Sequence, residues 1–130
     1  MLETALAAFT ADRAAFGRAI VGQETGGRYG IANAQGSGAI GLGQQMPATA
    51  KVLAGRLGLP WRPDLMSGTD QASRSYQDAI TNAALDEAWA AGKGDVSQAA
   101  MYYFGGSDRG KWGAKTQQYG RDIIARLRGM

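Results

Sequence analysis

Between residues 25 and 45 the chain carries seven glycines and little apolar periodicity, whereas the segments on either side repeat their apolar side chains every three or four positions. Spacing of that kind marks amphipathic helices, and a glycine cluster marks where regular structure stops. The chain is therefore expected to be mainly α, with helices on both sides of an irregular loop or small hairpin. Before the loop, Leu2, Leu6, Phe9, Phe16 and Ile20 form one stripe. A break is expected near Asp12 or Gly17, and an end at Thr25-Gly26-Gly27. After the loop, Pro47 suits the first helical position, where a missing N–H loses no bond. That helix should run to about Leu57, with Gly58 beyond it. Residues 58–70, with Pro60, Trp61, Pro63 and Asp64, read as a connecting loop. Tyr76, Ile80, Ala84 and Ala88 mark the next helix, ended by Gly92. Asp95-Val96-Ser97-Gln98 resembles a capping box and opens a helix through Phe104, which Gly105-Gly106 stops. A last helix carries Thr116, Tyr119, Ile123 and Leu127, with Gly129 after it. Neither strand alternation nor an internal repeat is visible. With 130 residues, 45% of them hydrophobic, one domain spanning 1–130 can bury its own core.

What the chain lacks narrows its chemistry. It has no cysteine and no histidine. That removes disulfides, thiolate nucleophiles, serine–histidine triads and the usual zinc ligand sets. Proton transfer must fall to carboxylates, tyrosine or lysine, and no cofactor or metal is called for. The net charge is +3. From Arg109 onward there are six basic residues (Arg109, Lys111, Lys115, Arg121, Arg126, Arg128) against Asp122 alone. Two readings stand: a solvated helix face with cations near its C-terminus, or attraction to a polyanion such as anionic cell wall or nucleic acid. No run of 18 apolar residues exists, so no membrane-spanning helix is expected. No basic-then-apolar leader opens the chain. The expectation is a removed signal, a place within a larger protein, or delivery by another route, such as a virion.

Only three glutamates occur: Glu3, Glu24 and Glu87. Glu3 sits where an acid favours a helix dipole, and Glu87 lies beside Asp86 in mid-helix. Glu24 differs, because Phe16, Ile20 and Glu24 fall at i, i+4 and i+8 and so share one face. A carboxyl on an apolar face is partly desolvated, which raises its pKa and suits a general acid. The competing reading is a helix-end glutamate turned to solvent or bonded to nearby backbone. Ordinary glycosidases flank the scissile bond with two carboxyls, yet no Asp or Glu occurs from Thr25 through Pro63. Asp64, Asp70, Asp78 or Asp86 would have to fold back to supply a second. Without a partner, one carboxyl must act first as acid and then as base. Gly36-Ser37-Gly38-Ala39-Ile40-Gly41 formally fits a GxGxxG fingerprint. It lacks the preceding strand and the immediately following helix that dinucleotide binding needs, so nucleotide binding is not expected; no nucleic-acid partner is expected either, with a basic nucleic-acid binder standing as a third rival function.

Two blocks carry a resemblance. Glu24-Thr25-Gly26-Gly27, followed by Gly38-Ala39-Ile40-Gly41-Leu42-Gly43-Gln44-Gln45-Met46-Pro47-Ala48-Thr49-Ala50, resembles the soluble lytic transglycosylase signature E-S-G, G-A-x-G-L-M-Q-x-M-P-x-T-A. Ala99 to Gly106 is similar to that family's A-Y-N-x-G helix end, and Thr116 to Tyr119 to its T-x-x-Y. Order and rough spacing match over residues 18–124. The family implies a goose-lysozyme-like helical fold and cleavage of the β-1,4 bond between N-acetylmuramic acid and N-acetylglucosamine in peptidoglycan. It implies Glu24 as acid/base, and Gln44 and Met46 lining the glycan cleft by hydrogen bonding and apolar contact. Tyr103 would approach the reacting sugar, and Tyr119 would close the cleft wall. For Tyr103 and Tyr119 the alternative is core packing; for Met46, a hydrophobic staple; for Gln44, an amide that satisfies its own loop. Gly43 stands where the family has Met, Phe104 where it has Asn, and Lys115 where it has Glu, which suggests a divergent, phage-borne branch. The partner implied is a peptidoglycan strand, at the cell wall or periplasm, met by a monomeric domain. Rival functions are a hydrolytic lysozyme on the same fold, and a non-catalytic glycan-binding or virion structural module.

Overall fold

The computed structural model describes residues 11–130. The stripe residues Leu2, Leu6 and Phe9, and Glu3, lie outside them. The elements are α1 (Arg13–Thr25), α2 (Pro47–Arg56), α3 (Pro63–Met66), α4 (Gln71–Gly92), α5 (Val96–Gly105), a 3₁₀ turn (Arg109–Lys111) and α6 (Ala114–Arg128). The fold is mainly helical. Among the described residues the only β pairing is two isolated antiparallel bridges, Ala32 with Ile40 and Ile40 with Gln45. They are what the glycine-rich segment forms in place of a regular hairpin.

Local chemistry explains most boundaries. Asp12 Oδ1 accepts from the Ala15 N–H at 2.7 Å, which caps α1 and starts it at Arg13; Gly17 lies inside the helix. Pro47 opens α2. Gly58, in the left-handed region at φ 71°, follows it as a C-terminal stop. The segment 58–70 is not all loop: Pro63 opens the single turn α3, and Asp64 stands in its first turn. Four residues are too few to show a helical period, and only the proline signals them. At α5 half of the expected capping box forms. Asp95 accepts from the Gln98 N–H at 3.0 Å. Gln98 does not reach back; its Oε1 accepts from Arg109, and the Asp95 N–H donates to Gly92 O. Asp95→Ala should therefore cost about 1 kcal/mol, the usual worth of one N-cap. A melting temperature unchanged within error would show that the cap contributes nothing.

The chain divides into two compact units, one of residues up to 23 together with 85–130, the other of residues 24–84. The boundaries fall within α1 and α4. In the first unit the core is Phe16, Ala19 and Ile20 of α1, Leu85 and Ala88 of α4, Val96, Ala99 and Ala100 of α5, and Tyr119 and Ile123 of α6. Phe16 and Ile20, fully buried, each stabilise by about 1.5–3 kcal/mol. Phe16 also packs on Trp89 at a centroid distance of 5.3 Å. In the second unit Ala50, Leu53 and Ala54 of α2, Met66 of α3, and Tyr76 and Ile80 of α4 form a separate cluster. Tyr76 ties the 58–62 segment down: its hydroxyl donates to Pro60 O at 2.7 Å and accepts from the Arg62 N–H at 3.1 Å.

Candidate active site

Glu24 lies in the last turn of α1 and is half-buried. The helix ends one residue later, and that end is held by three hydrogen bonds to two partners. Thr25, buried at 3% exposure, donates from Oγ1 to Leu42 O at 2.8 Å. The Arg28 backbone N–H and Nε both donate to Thr25 O, which puts a cation at the negative end of the helix dipole.

The glycine-rich loop is fastened chiefly by Gln77 of α4, which is fully buried. Its Oε1 accepts from the N–H groups of Gly30 at 2.8 Å and Leu42 at 3.0 Å. Its Nε2 donates to Leu65 O and Gly68 O, both at 2.9 Å. One side-chain amide thus satisfies two backbone donors of the loop and two backbone acceptors of the 65–68 turn. Positive φ favours glycine at two points, and at Gly30 close approach of backbone demands it. A Cβ on Gly30 (φ 69°) would stand 2.7 Å from Ser67 O, and one on Gly41 (φ 85°) 3.0 Å from the Met66 terminal methyl. Tyr29 adds a further tie, donating to Asp78 at 2.7 Å. That bond holds the Tyr29 hydroxyl above its ordinary pKa.

Gln44 is half-buried, with its backbone in the left-handed region at φ 54°, a conformation uncommon outside glycine. Its Nε2 donates to Ile31 O at 2.8 Å and Gly41 O at 3.1 Å, and Asn33 Nδ2 donates to its Oε1 at 3.4 Å. The amide is thus engaged with its own loop. Met46 is the N-cap residue of α2 and is 47% exposed. Tyr103 and Tyr119 belong to the other unit. Tyr103 packs half-buried against its core. Tyr119, 5% exposed, stacks on Phe104 with centroids 4.7 Å apart.

The four aspartates that could have supplied a second carboxylate each have a different partner. Asp64 is bound twice by Arg62, at 3.0 and 2.8 Å, and that guanidinium holds its carboxyl below the usual range. Asp70 caps α4 through the Ser73 N–H, and its hydrogen bond with the Ser73 hydroxyl likewise lowers it. Asp78 accepts from Tyr29, and Asp86 pairs with Arg13 at 2.8 Å. A carboxyl held ionised is a poor proton donor, which disfavours Asp64 and Asp70 as general acids.

No strand precedes the GxGxxG segment among the described residues, and α2 begins only at Pro47. Several of the six C-terminal cations are engaged within the fold. Arg109 lies over Trp112 and donates to Ala91 O, Arg121 donates to Gln118, and Arg126 donates to Gln23. Among the described residues, no group of acidic side chains could hold a metal ion, and no helix is long and apolar enough to cross a membrane.

Sequence reasoning singled out Glu24 but missed Gln77 and Thr25. The available signal was the row Ser73, Gln77 and Thr81 at four-residue steps on α4, all three buried. Polar residues at helical spacing beside the apolar pair Tyr76 and Ile80 mark a buried polar face, in which Gln77 binds the loop backbone, while the Thr81 hydroxyl has no hydrogen-bond partner among the described residues.

No protein-family model matches the chain, and no solved structure matches it. Over 92 residues, 71% of the chain, it is 38% identical to a protein of Enterobacteria phage PRD1 named Transglycosylase. The match covers 29% of that relative's length, so the chain corresponds to less than a third of it.

Proposed function

We propose that this chain is a peptidoglycan-cleaving domain of the lytic transglycosylase type, lysozyme-like in fold, with Glu24 as its single acid/base. The observation that carries the reading is a half-buried glutamate at a helix end pinned to a glycine-rich loop. The similarity to the phage Transglycosylase and the other pairings of the candidate aspartates support it. Protonated Glu24 donates to the glycosidic oxygen as the bond from that oxygen to C1 breaks. The muramic N-acetyl group stabilises the cation that develops at C1. The Glu24 carboxylate then takes the proton from the C6 hydroxyl of the same sugar as its oxygen bonds to C1. The products are a 1,6-anhydro end and a free 4-hydroxyl, with no water consumed and Glu24 protonated again.

Gln44 would meet the glycan through the acceptor capacity left on Oε1, and Met46 through its exposed thioether. The parts given to Tyr103 and Tyr119, beside the reacting sugar and along the cleft wall, rest on the resemblance of their segments alone. Mass spectrometry of the fragments released from purified peptidoglycan tests the reaction type. The expected muropeptides carry 1,6-anhydro ends, lighter by one water than reducing ends. Reducing ends throughout would make the chain a hydrolytic lysozyme, and no fragments at all a glycan-binding or structural module.

A further inference from the structure

We infer that Thr25 is a positioning residue for Glu24, clamped through Leu42 to the buried amide of Gln77; the inference rests on the reading of Glu24 as the acid/base. A threonine in a helix commonly turns its hydroxyl back onto the carbonyl one turn earlier. Thr25 Oγ1 reaches out of its helix, to Leu42 O seventeen residues on, at 2.8 Å. The same peptide segment presents the Leu42 N–H to Gln77 Oε1 at 3.0 Å. Leu42 is therefore gripped on both polar groups, by Thr25 at its carbonyl and by Gln77 at its amide. Both gripping side chains are buried, Thr25 at 3% and Gln77 at 0% exposure, so water does not compete for the bonds.

The consequence is geometric. Glu24 and Thr25 are adjacent in the last turn of α1, and the turn's rotation about the helix axis sets where the Glu24 carboxyl points. A group about 6 Å from the axis moves by about 1 Å when the turn rotates by roughly 10°. Such a displacement of a catalytic group can lower the rate by up to about a hundredfold. The last turn of a helix is where fraying starts, so a proton donor placed there needs an external anchor, and the Thr25 hydroxyl supplies it.

The test compares Thr25→Ser, Thr25→Ala and Thr25→Val in the full chain, with kcat and KM on soluble glycan strands and a thermal melt of each variant. Serine keeps the hydroxyl and should stay within about threefold of the unmodified chain. Alanine and valine remove it and should lose about tenfold or more in kcat, with KM within about twofold. A purely structural role would lower the melting temperature but leave kcat per folded molecule unchanged. Equal kcat for serine and alanine overturns the inference, as does a loss carried by KM. Should the valine variant fail to fold, the serine–alanine pair decides by itself. If the unmodified chain cleaves nothing, the proposed function and this inference fall together. If it cleaves and Thr25→Ala matches it, only the inference falls.

Discussion

Glu24→Gln leaves a folded protein that has lost glycan cleavage by about 10²–10⁴, the contribution of one positioned acid/base. Glutamine matches glutamate in size and keeps polar atoms at the same distance from the backbone. It neither releases a proton to a leaving oxygen nor takes one back. Glu24 is half-buried and the helix end beside it is held by Thr25 and Arg28, so the melting temperature should move by no more than about 2 °C, as expected for a change outside the core. The companion variants Asp64→Asn, Asp70→Asn and Asp78→Asn should each keep activity within about threefold. Asn can still accept the cap bond at Asp70 and the tyrosine bond at Asp78, and the Asp64 carboxylate is engaged by Arg62 on an exposed face. If one of these variants is as inactive as Glu24→Gln, a second carboxylate takes part and the single-residue mechanism fails. Full cleavage by Glu24→Gln would remove Glu24 from the chemistry altogether.

The parts of this fold that were legible in the sequence are those fixed by neighbours along the chain. Pro47 and Gly58 bound α2, Asp95 and Gly105-Gly106 bound α5, and Gly92 closes α4, because caps and stops act within four or five residues. The glycine-rich segment was legible as a loop for the same reason. Its anchorage was not. The bonds from Gly30 and Leu42 to Gln77 span 47 and 35 residues, and a glutamine in a helical stripe looks solvated until its partners are known. The capping box illustrates the same limit at short range. Asp95 does what its position dictates, while Gln98 is drawn away by Arg109, eleven residues further on. For Glu24 the face it shares with Phe16 and Ile20 placed it at the helix end, but what steadies that end came from Thr25, Leu42 and Arg28.

Gln77 carries the largest expected effect on stability. Gln77→Leu keeps nearly the same volume, so packing around Met66 and Ile80 changes little and the loss is one of hydrogen bonding. Two N–H groups, of Gly30 and Leu42, and two carbonyls, of Leu65 and Gly68, lose their partner together. A buried polar group left unpaired costs about 1–3 kcal/mol. Leu42 is buried, whereas Gly30, Leu65 and Gly68 are partly exposed, so water can recover part of the loss at three of the four. The expected destabilisation is about 3–5 kcal/mol, a large fraction of the 5–15 kcal/mol typical of a whole domain. In a chain of this length that corresponds to a fall of roughly 10 °C or more in Tm. Loop geometry should go with it, because Gly30, where a Cβ would meet the Ser67 carbonyl, is held there by its bond to Gln77. Amide hydrogen exchange gives the sharper readout. The Leu42 and Gly30 N–H groups should lose protection in Gln77→Leu, while α5 and α6, whose core lies in the other unit, keep theirs. A variant that melts within about 3 °C of the unmodified chain, less than the change expected for 1 kcal/mol, with the Leu42 amide still protected, would mean that the loop holds its shape without this side chain. The fixed position of the Glu24 helix end would then need another cause.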